Sequence, residues 1–193
     1  MNPMFNYGVE VGSGDSFSSI LYKNTGLYKS ILLIEPNKLL FKDLKEKIVE
    51  NNVHANLLNV GISSISNEID FFNFGYCSFL RGYPSFLKLS CEEDAENFWQ
   101  MRSESCNCIN FSIIDNGNID YLVLTCNGAE LDVLNNMTSR PKIIKTKYYC
   151  HNHLQVYFYN EISKWMRLNS YSGKLIKTNR YKTYHEIDFI KNE

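Results

Sequence analysis

Residues 30–35, SILLIE, are apolar at four consecutive positions from Ile31 to Ile34. A strand with one wet face alternates apolar and polar residues. A continuous apolar run marks a strand covered on both faces, as in parallel sheets flanked by helices. Residues 118–126, NIDYLVLTC, repeat the pattern. Two such strands need helices above and below the sheet. Residues 37–52, NKLLFKDLKEKIVENN, supply one: Leu40, Leu44 and Ile48 fall at helical spacing, with charges on the other face.

The rest of the chain continues this alternation. YGVEV, 7–11, reads as a short strand. SFSSILYKNT, 16–25, reads as a helix with Ser16 at the N-cap and Gly26 as the stop. ANLLNVGIS, 55–63, is expected to be a third strand, and EIDFFNF, 68–74, a strand or half of a hairpin. Residues 75–110 show no clear period and read as an insertion or lid. Within them, CEEDAENFWQMRSE, 91–104, suggests an exposed acidic helix. GAELDVLNNM, 128–137, begins a helix, and PKIIKTKYY, 141–149, is a strand. YNEISKWMRLN, 159–169, is helical with Ile162, Trp165, Met166 and Asn169 on one side. Residues 173–178 and 182–190 are strands that can pair as a hairpin. The whole predicts a single α/β domain over 1–193. Its sheet is doubly wound and mostly parallel, with an antiparallel C-terminal strand.

Charge narrows the partners. Twenty basic and 21 acidic side chains leave a net charge of -1, which argues against a nucleic-acid surface. The lysine-rich stretches at 142–147 and 174–182 read as solvated strand and loop faces. No apolar run approaches the roughly 20 residues of a membrane span. The N-terminal MNPMFNYGVEVG has no basic n-region or apolar h-region, so a cytoplasmic location is expected, with the six cysteines as reduced thiols.

VEVGSGDS, 9–16, falls between the first strand and first helix, where doubly wound sheets bind ligands. Three tests bear on the ligand. The third glycine of a dinucleotide fingerprint is replaced by Phe17, and the Lys of a phosphate-binding P-loop is absent. Glu10, just before the loop, would repel a pyrophosphate and attract a cationic amine. Glu35 lies 21 residues beyond Gly14, close to the roughly 20 expected of an acid that hydrogen-bonds ribose hydroxyls. S-adenosylmethionine has ribose hydroxyls, an amine and no phosphate, and satisfies all three. A plain tight turn is the alternative.

VEVGSGDS, ILLIEPNKLLFKDLKEKI, LLNVGISSISNEIDFFNF and IDYLVLTCNGAELDVLNN together resemble the successive blocks of FkbM-type methyltransferases. These are class I enzymes that use S-adenosylmethionine, mostly to O-methylate sugars and other small or glycan hydroxyls. The resemblance implies a Rossmann-like methyltransferase fold. It also implies that Glu10, Gly12 and Gly14 hold the methionine part of the cofactor, with Ser13, Asp15 and Ser16 lining the same loop. Glu35 would take the ribose hydroxyls. Pro36 would lie beside the adenine, and Asn59, Val60 and Gly61 would flank it.

The chain departs from that family where catalysis would lie. The family's fourth strand ends in Asp, an apolar residue, then Glu-Gly-x-Glu; here Thr125-Cys126-Asn127-Gly128-Ala129-Glu130 stands instead. Thr125 and Asn127 can orient a substrate but cannot take its proton. Glu130 falls in a first helical turn, where a carboxylate complements the helix dipole. YCHNH, 149–153, follows a strand, which makes His151, with Cys150 and His153 beside it, a candidate general base at the cofactor edge. Those residues and the Cys106-x-Cys108 pair match no zinc-ligand spacing, so no metal is expected. The aromatics of 71–86 suit packing or stacking on a sugar or a base. Two functions stand: an O-methyltransferase acting on a sugar, glycan or small-molecule hydroxyl, and a catalytically inactive binding or regulatory module on the same fold.

Overall fold

The computed structural model describes residues 5–14, 28–64, 67–72, 79–80, 103–149, 153–178 and 184–193. The expected helix at 16–25 lies outside them, as do most of 75–102. The main sheet has seven strands. β1 (Phe5–Val11), β2 (Tyr28–Ile34) and β3 (Asn56–Leu58) run parallel to one side. β8 (Tyr121–Leu124) and β9 (Ile143–Tyr149) extend it in parallel on the other side of β1. β11 (Tyr184–Lys191) and β10 (Tyr171–Thr178) close that edge antiparallel, giving the order β10-β11-β9-β8-β1-β2-β3. The architecture is the doubly wound, mostly parallel sheet expected from the sequence.

Both faces are covered. α1 (Lys38–Glu50) buries Leu40, Leu44 and Ile48. Leu44 and Ile48 pack with Ile31, Leu33, Tyr121 and Val123 on one face. α2 (Glu130–Asn135) and α3 (His153–Leu168) contribute Val133, Leu134, Ile162 and Met166 to the other face, against Val9, Leu32, Leu122 and Ile144. The continuous apolar run at 31–34 thus splits between two cores. Asn37 starts α1, its side chain accepting from the Leu39 and Leu40 amides. No helix among the described residues is long and apolar enough to cross a membrane.

Three expectations need correction. The stretch 55–63 is not one strand: it breaks at Asn59–Val60, and β4 (Gly61–Ile62) joins a separate sheet. That second sheet, in the order β4-β7-β5-β6, also holds β5 (Asn67–Phe72), β6 (Phe79–Leu80) and β7 (Ser103–Ile109). Ser103 and Glu104 therefore belong to a strand rather than to the acidic helix drawn through 91–104. Pairing with β5 satisfies their backbone groups, which propensity alone does not foresee. The helix placed at 159–169 begins earlier, at His153, and so removes that histidine from the loop after β9.

Candidate functional site

The strand order reverses between β1 and β8, so their carboxyl ends form the crevice where open α/β sheets bind ligands. Gly12 and Gly14 lie there with φ of 82° and 59°, a left-handed region that glycine enters without strain. Gly12 is further fixed by space. A Cβ at Gly12 would stand 2.7 Å from the Thr125 carbonyl carbon and 2.9 Å from Cys126 Cα. The two strand ends therefore meet backbone to backbone. The Gly12 and Ser13 amides both donate to the Ile34 carbonyl, at 2.9 and 3.0 Å. The Thr125 hydroxyl donates to the Gly12 carbonyl at 2.7 Å. The loop is tied to β2 on one side and to β8 on the other.

Glu35 anchors the same loop. Its Oε2 accepts from the Gly14 amide at 2.7 Å and its Oε1 from the Asn37 amide at 2.8 Å. The residue is only 5% exposed. Burial pushes its carboxyl up to about 7, with the two backbone N–H bonds pulling the other way. Asn59 secures the segment from behind: its Nδ2 donates to the carbonyls of Glu35 at 2.7 Å and Pro36 at 3.1 Å. That capture coincides with the break between β3 and β4. Val60 packs against the main core, and Gly61 opens β4.

Glu10 is 1% exposed within β1. Burial pulls the Lys147 ammonium below its usual range, and Glu10 followed by Glu186 opposes that pull. Ser13 is buried, its hydroxyl 3.3 Å from the Glu10 carbonyl.

Beyond β8, Asn127 takes a left-handed conformation with φ of 50° and Gly128 one of 118°. This tight turn delivers the chain into α2. Glu130 is buried, and its Oε2 accepts from the Gly128 amide at 2.8 Å. Burial pushes its carboxyl up, and it pushes the Cys126 thiol well up beside it.

Hydrogen bonds thus bring together Glu10, Gly12, Ser13, Gly14, Glu35, Pro36, Asn59 and Thr125. Asn127 and Glu130 follow directly in the β8–α2 turn. Asp15, Ser16, Cys150 and His151 lie outside the described residues. Sequence reasoning overlooked Asn37, which serves both Glu35 and the α1 cap. Its signal was the Asn just after Pro36 and just before an amphipathic run.

No family model matches the chain, and no curated protein does. Solved structures match its fold. An rRNA methylase from Streptococcus thermophilus superposes with a TM-score of 0.55 at 8% identity, over 99% of this chain and 89% of that one. The methyltransferase FkbM from Methylobacillus flagellatus KT gives 0.62 at 10% identity, over 97% of this chain but 44% of that one. TrmK from M. capricolum, solved with S-adenosyl-homocysteine, gives 0.51 at 10% identity, over 100% of this chain and 65% of that one. The likeness is one of fold: the chain has the Rossmann-like methyltransferase architecture.

Proposed function

We propose that the chain binds S-adenosylmethionine at the carboxyl ends of β1, β2 and β3 and transfers its methyl group. The observation that carries this reading is the Gly14–Glu35 hydrogen bond at the switch point. It places an acid at the end of β2 against a glycine loop at the end of β1. The residues suit the cofactor. A carboxylate offers about four lone-pair sites, and the two amides occupy two, leaving one on each oxygen of Glu35 for ribose hydroxyls. The glycines let a ligand approach the backbone, and Glu10 supplies negative charge for the ammonium of the methionine part.

The bound cofactor would supply a methyl group already activated by the sulfonium. The chain's part is then to align an acceptor with it and to exclude water. A hydroxyl of a sugar, glycan or small metabolite is the acceptor class suggested by the sequence resemblance. Thr125, Asn127 and Glu130 would border it, with His151 to receive its proton. Structural neighbours that include an rRNA methylase leave the acceptor open to test.

A second reading draws on a specific observation. The Thr125 hydroxyl is given to the Gly12 carbonyl, and the Glu130 carboxylate is buried against its own turn. Both act as braces, which suits a chain that keeps the cofactor site without turnover.

Calorimetric titration with S-adenosylmethionine and S-adenosyl-homocysteine separates the readings. Binding of both, followed by methyl transfer to a hydroxylated acceptor, supports the enzyme. Binding without transfer across such acceptors supports the inactive module. If neither compound binds, both readings fall.

A further inference from the structure

The two lysine-rich stretches of the sequence, 142–147 and 174–182, meet in the sheet. β11 lies between β9 and β10. Asp188 stands opposite Lys145 of β9 and Lys174 of β10, and Glu186 stands opposite Lys147 and Lys177. Residues directly opposite share a face, and so do alternate residues of one strand. All six side chains therefore belong to one face of the sheet. Lys177 joins them through a bulge. Leu175 pairs with Ile187 but Lys177 with Glu186, so Ile176 is one residue in excess. In a regular strand Lys174 and Lys177 would point to opposite faces. The bulge re-aims Lys177 to the side of Lys174.

That face leads to the cofactor edge. Lys147 lies one residue beyond the Leu124–Thr146 pair on β9, as Thr125 does on β8. Thr125 is likewise one beyond the Val11–Leu124 pair, level with Gly12. Gly12, Thr125, Lys147, Glu186 and Lys177 thus form one row across the carboxyl edge. Its charges are unequal. Lys145, one step further from the edge, engages both acids, at 3.2 Å to Glu186 and 3.6 Å to Asp188. On these three strands four ammonium groups share the face with two carboxylates, which leaves two positive charges over. Glu10, on the same face of β1, answers the cofactor's ammonium in the reading above. Lysines on a sheet face often serve solubility alone. Here a bulge gathers them, and Lys147, half-buried, stands one strand from Thr125.

We propose that Lys147 and Lys177 form an acceptor subsite that takes the phosphate group of a phosphorylated small molecule. The proposal rests on the methyl-transfer reading and narrows its acceptor to a hydroxyl compound carrying a phosphate monoester. Such a group holds a charge of about −1.5 to −2 at pH 7, which matches the surplus. The two lysines stand two strands apart, about 9.5 Å at the backbone. Their flexible four-carbon stems let both ammonium groups converge on one phosphate. Anchored there, the rest of a small acceptor lies along the row toward Thr125 and Gly12.

The test is NMR of the lysine Cε–H groups of the full chain, titrated with inorganic phosphate against sodium chloride at equal ionic strength. It is run with and without saturating S-adenosyl-homocysteine. The signals that Lys147→Gln and Lys177→Gln remove should shift saturably, and each substitution should weaken phosphate binding by about tenfold or more. Lys42→Gln, on the exposed face of α1, should not weaken it. Lys177 is exposed, so its variant reads the site even where the half-buried Lys147 proves necessary for folding. Phosphate should stay bound when S-adenosyl-homocysteine is added. The absence of a saturable shift, or undiminished affinity in Lys177→Gln, overturns the proposal. So does displacement of phosphate by S-adenosyl-homocysteine, which puts the anion in the glycine loop. Tighter, steeply salt-dependent binding of a single-stranded RNA to the same lysines overturns it too, as the mark of a polymer's backbone. Binding of S-adenosyl-homocysteine without phosphate sinks the subsite and spares the cofactor reading. Phosphate binding in a chain that takes no S-adenosyl-homocysteine sinks the cofactor reading and strips the subsite of its acceptor role.

Discussion

The Gly14 amide donates to Glu35 Oε2 at 2.7 Å, across 21 residues of sequence. This bond joins the turn after β1 to the end of β2. It holds the loop at the edge of the sheet where the strand order reverses. Alongside it, the Gly12 and Ser13 amide bonds to Ile34, the Ser13 hydroxyl bond to the Glu10 carbonyl and the Thr125 hydroxyl tie the loop to the sheet.

Gly12→Ala should damage both folding and cofactor binding. The residue has φ of 82°, and its new Cβ would press on the Thr125 carbonyl and on Cys126 Cα, which are backbone atoms that cannot rotate away. Left-handed φ alone costs about 1–2 kcal/mol for a residue with a Cβ, and the displaced β8 end adds to that. Urea unfolding should show a midpoint lowered by more than the φ cost explains. S-adenosylmethionine binding should vanish in calorimetry. A variant with wild-type stability would mean that β1 and β8 do not meet as described.

Glu35 sets a pH dependence of defined sign. Its folded carboxyl titrates at about 7 against an ordinary value of 4.5, because burial outweighs the Asn37 and Gly14 amides. A carboxyl raised in this way contributes stability below the unfolded value, which is lost as pH rises to about 7. The loss amounts to up to about 3 kcal/mol. Unfolding free energies of the wild type and Glu35→Gln, measured from about pH 4 to 8, should diverge by that amount, with the wild type losing more as pH rises. Parallel profiles would refute the assignment. Affinity for S-adenosylmethionine should rise as Glu35 ionises, since the carboxylate is the better acceptor for ribose hydroxyls, and Glu35→Gln should flatten that rise.

Asn59→Ala should loosen the junction from behind. The Asn59 amide donates to two carbonyls, those of Glu35 and Pro36. Its loss leaves them without this donor, at a cost of about 1–3 kcal/mol. The effect should reach the cofactor site, because the same backbone carries the Glu35 carboxylate. Calorimetry should show weakened binding. Unchanged affinity together with lowered stability would confine Asn59 to a role in folding.

Asn59 also shows why part of the fold escaped the sequence. The α1 stripe of Leu40, Leu44 and Ile48 is local, and its period alone identifies the helix. The Gly12–Gly14 loop is legible too, since glycine enters left-handed φ without strain, although the β8 backbone that crowds Gly12 is not. LLNVGIS, by contrast, reads as one apolar stretch in which a single Asn and a single Gly do not mark where the strand must end. What divides it is tertiary: the carbonyls of Glu35 and Pro36 capture the Asn59 amide, and Cys108 pairs with Gly61 in another sheet. The polar SESCNCI of β7 becomes a strand for the same reason, through partners more than thirty residues away in β5. In the site, residue types pointed to a ligand class. They could not show that Thr125 and Glu130 each have a bracing hydrogen bond, because those partners are backbone groups.

Thr125→Val tests whether that bracing is the whole of the residue's role. Valine keeps the shape but removes the donor to the Gly12 carbonyl, at an expected cost of about 1–3 kcal/mol. Thr125→Ser retains the hydroxyl and should restore most of that stability. If Thr125 acts only as a brace, the valine variant should bind S-adenosylmethionine less tightly, yet any methyl transfer, measured at saturating cofactor, should keep the wild-type kcat. If Thr125 also orients the acceptor, kcat should fall at saturating cofactor and recover in the serine variant. The bond to Gly12 already engages the one proton the hydroxyl can donate, so the expected outcome is the first: a change in stability and cofactor affinity with kcat preserved.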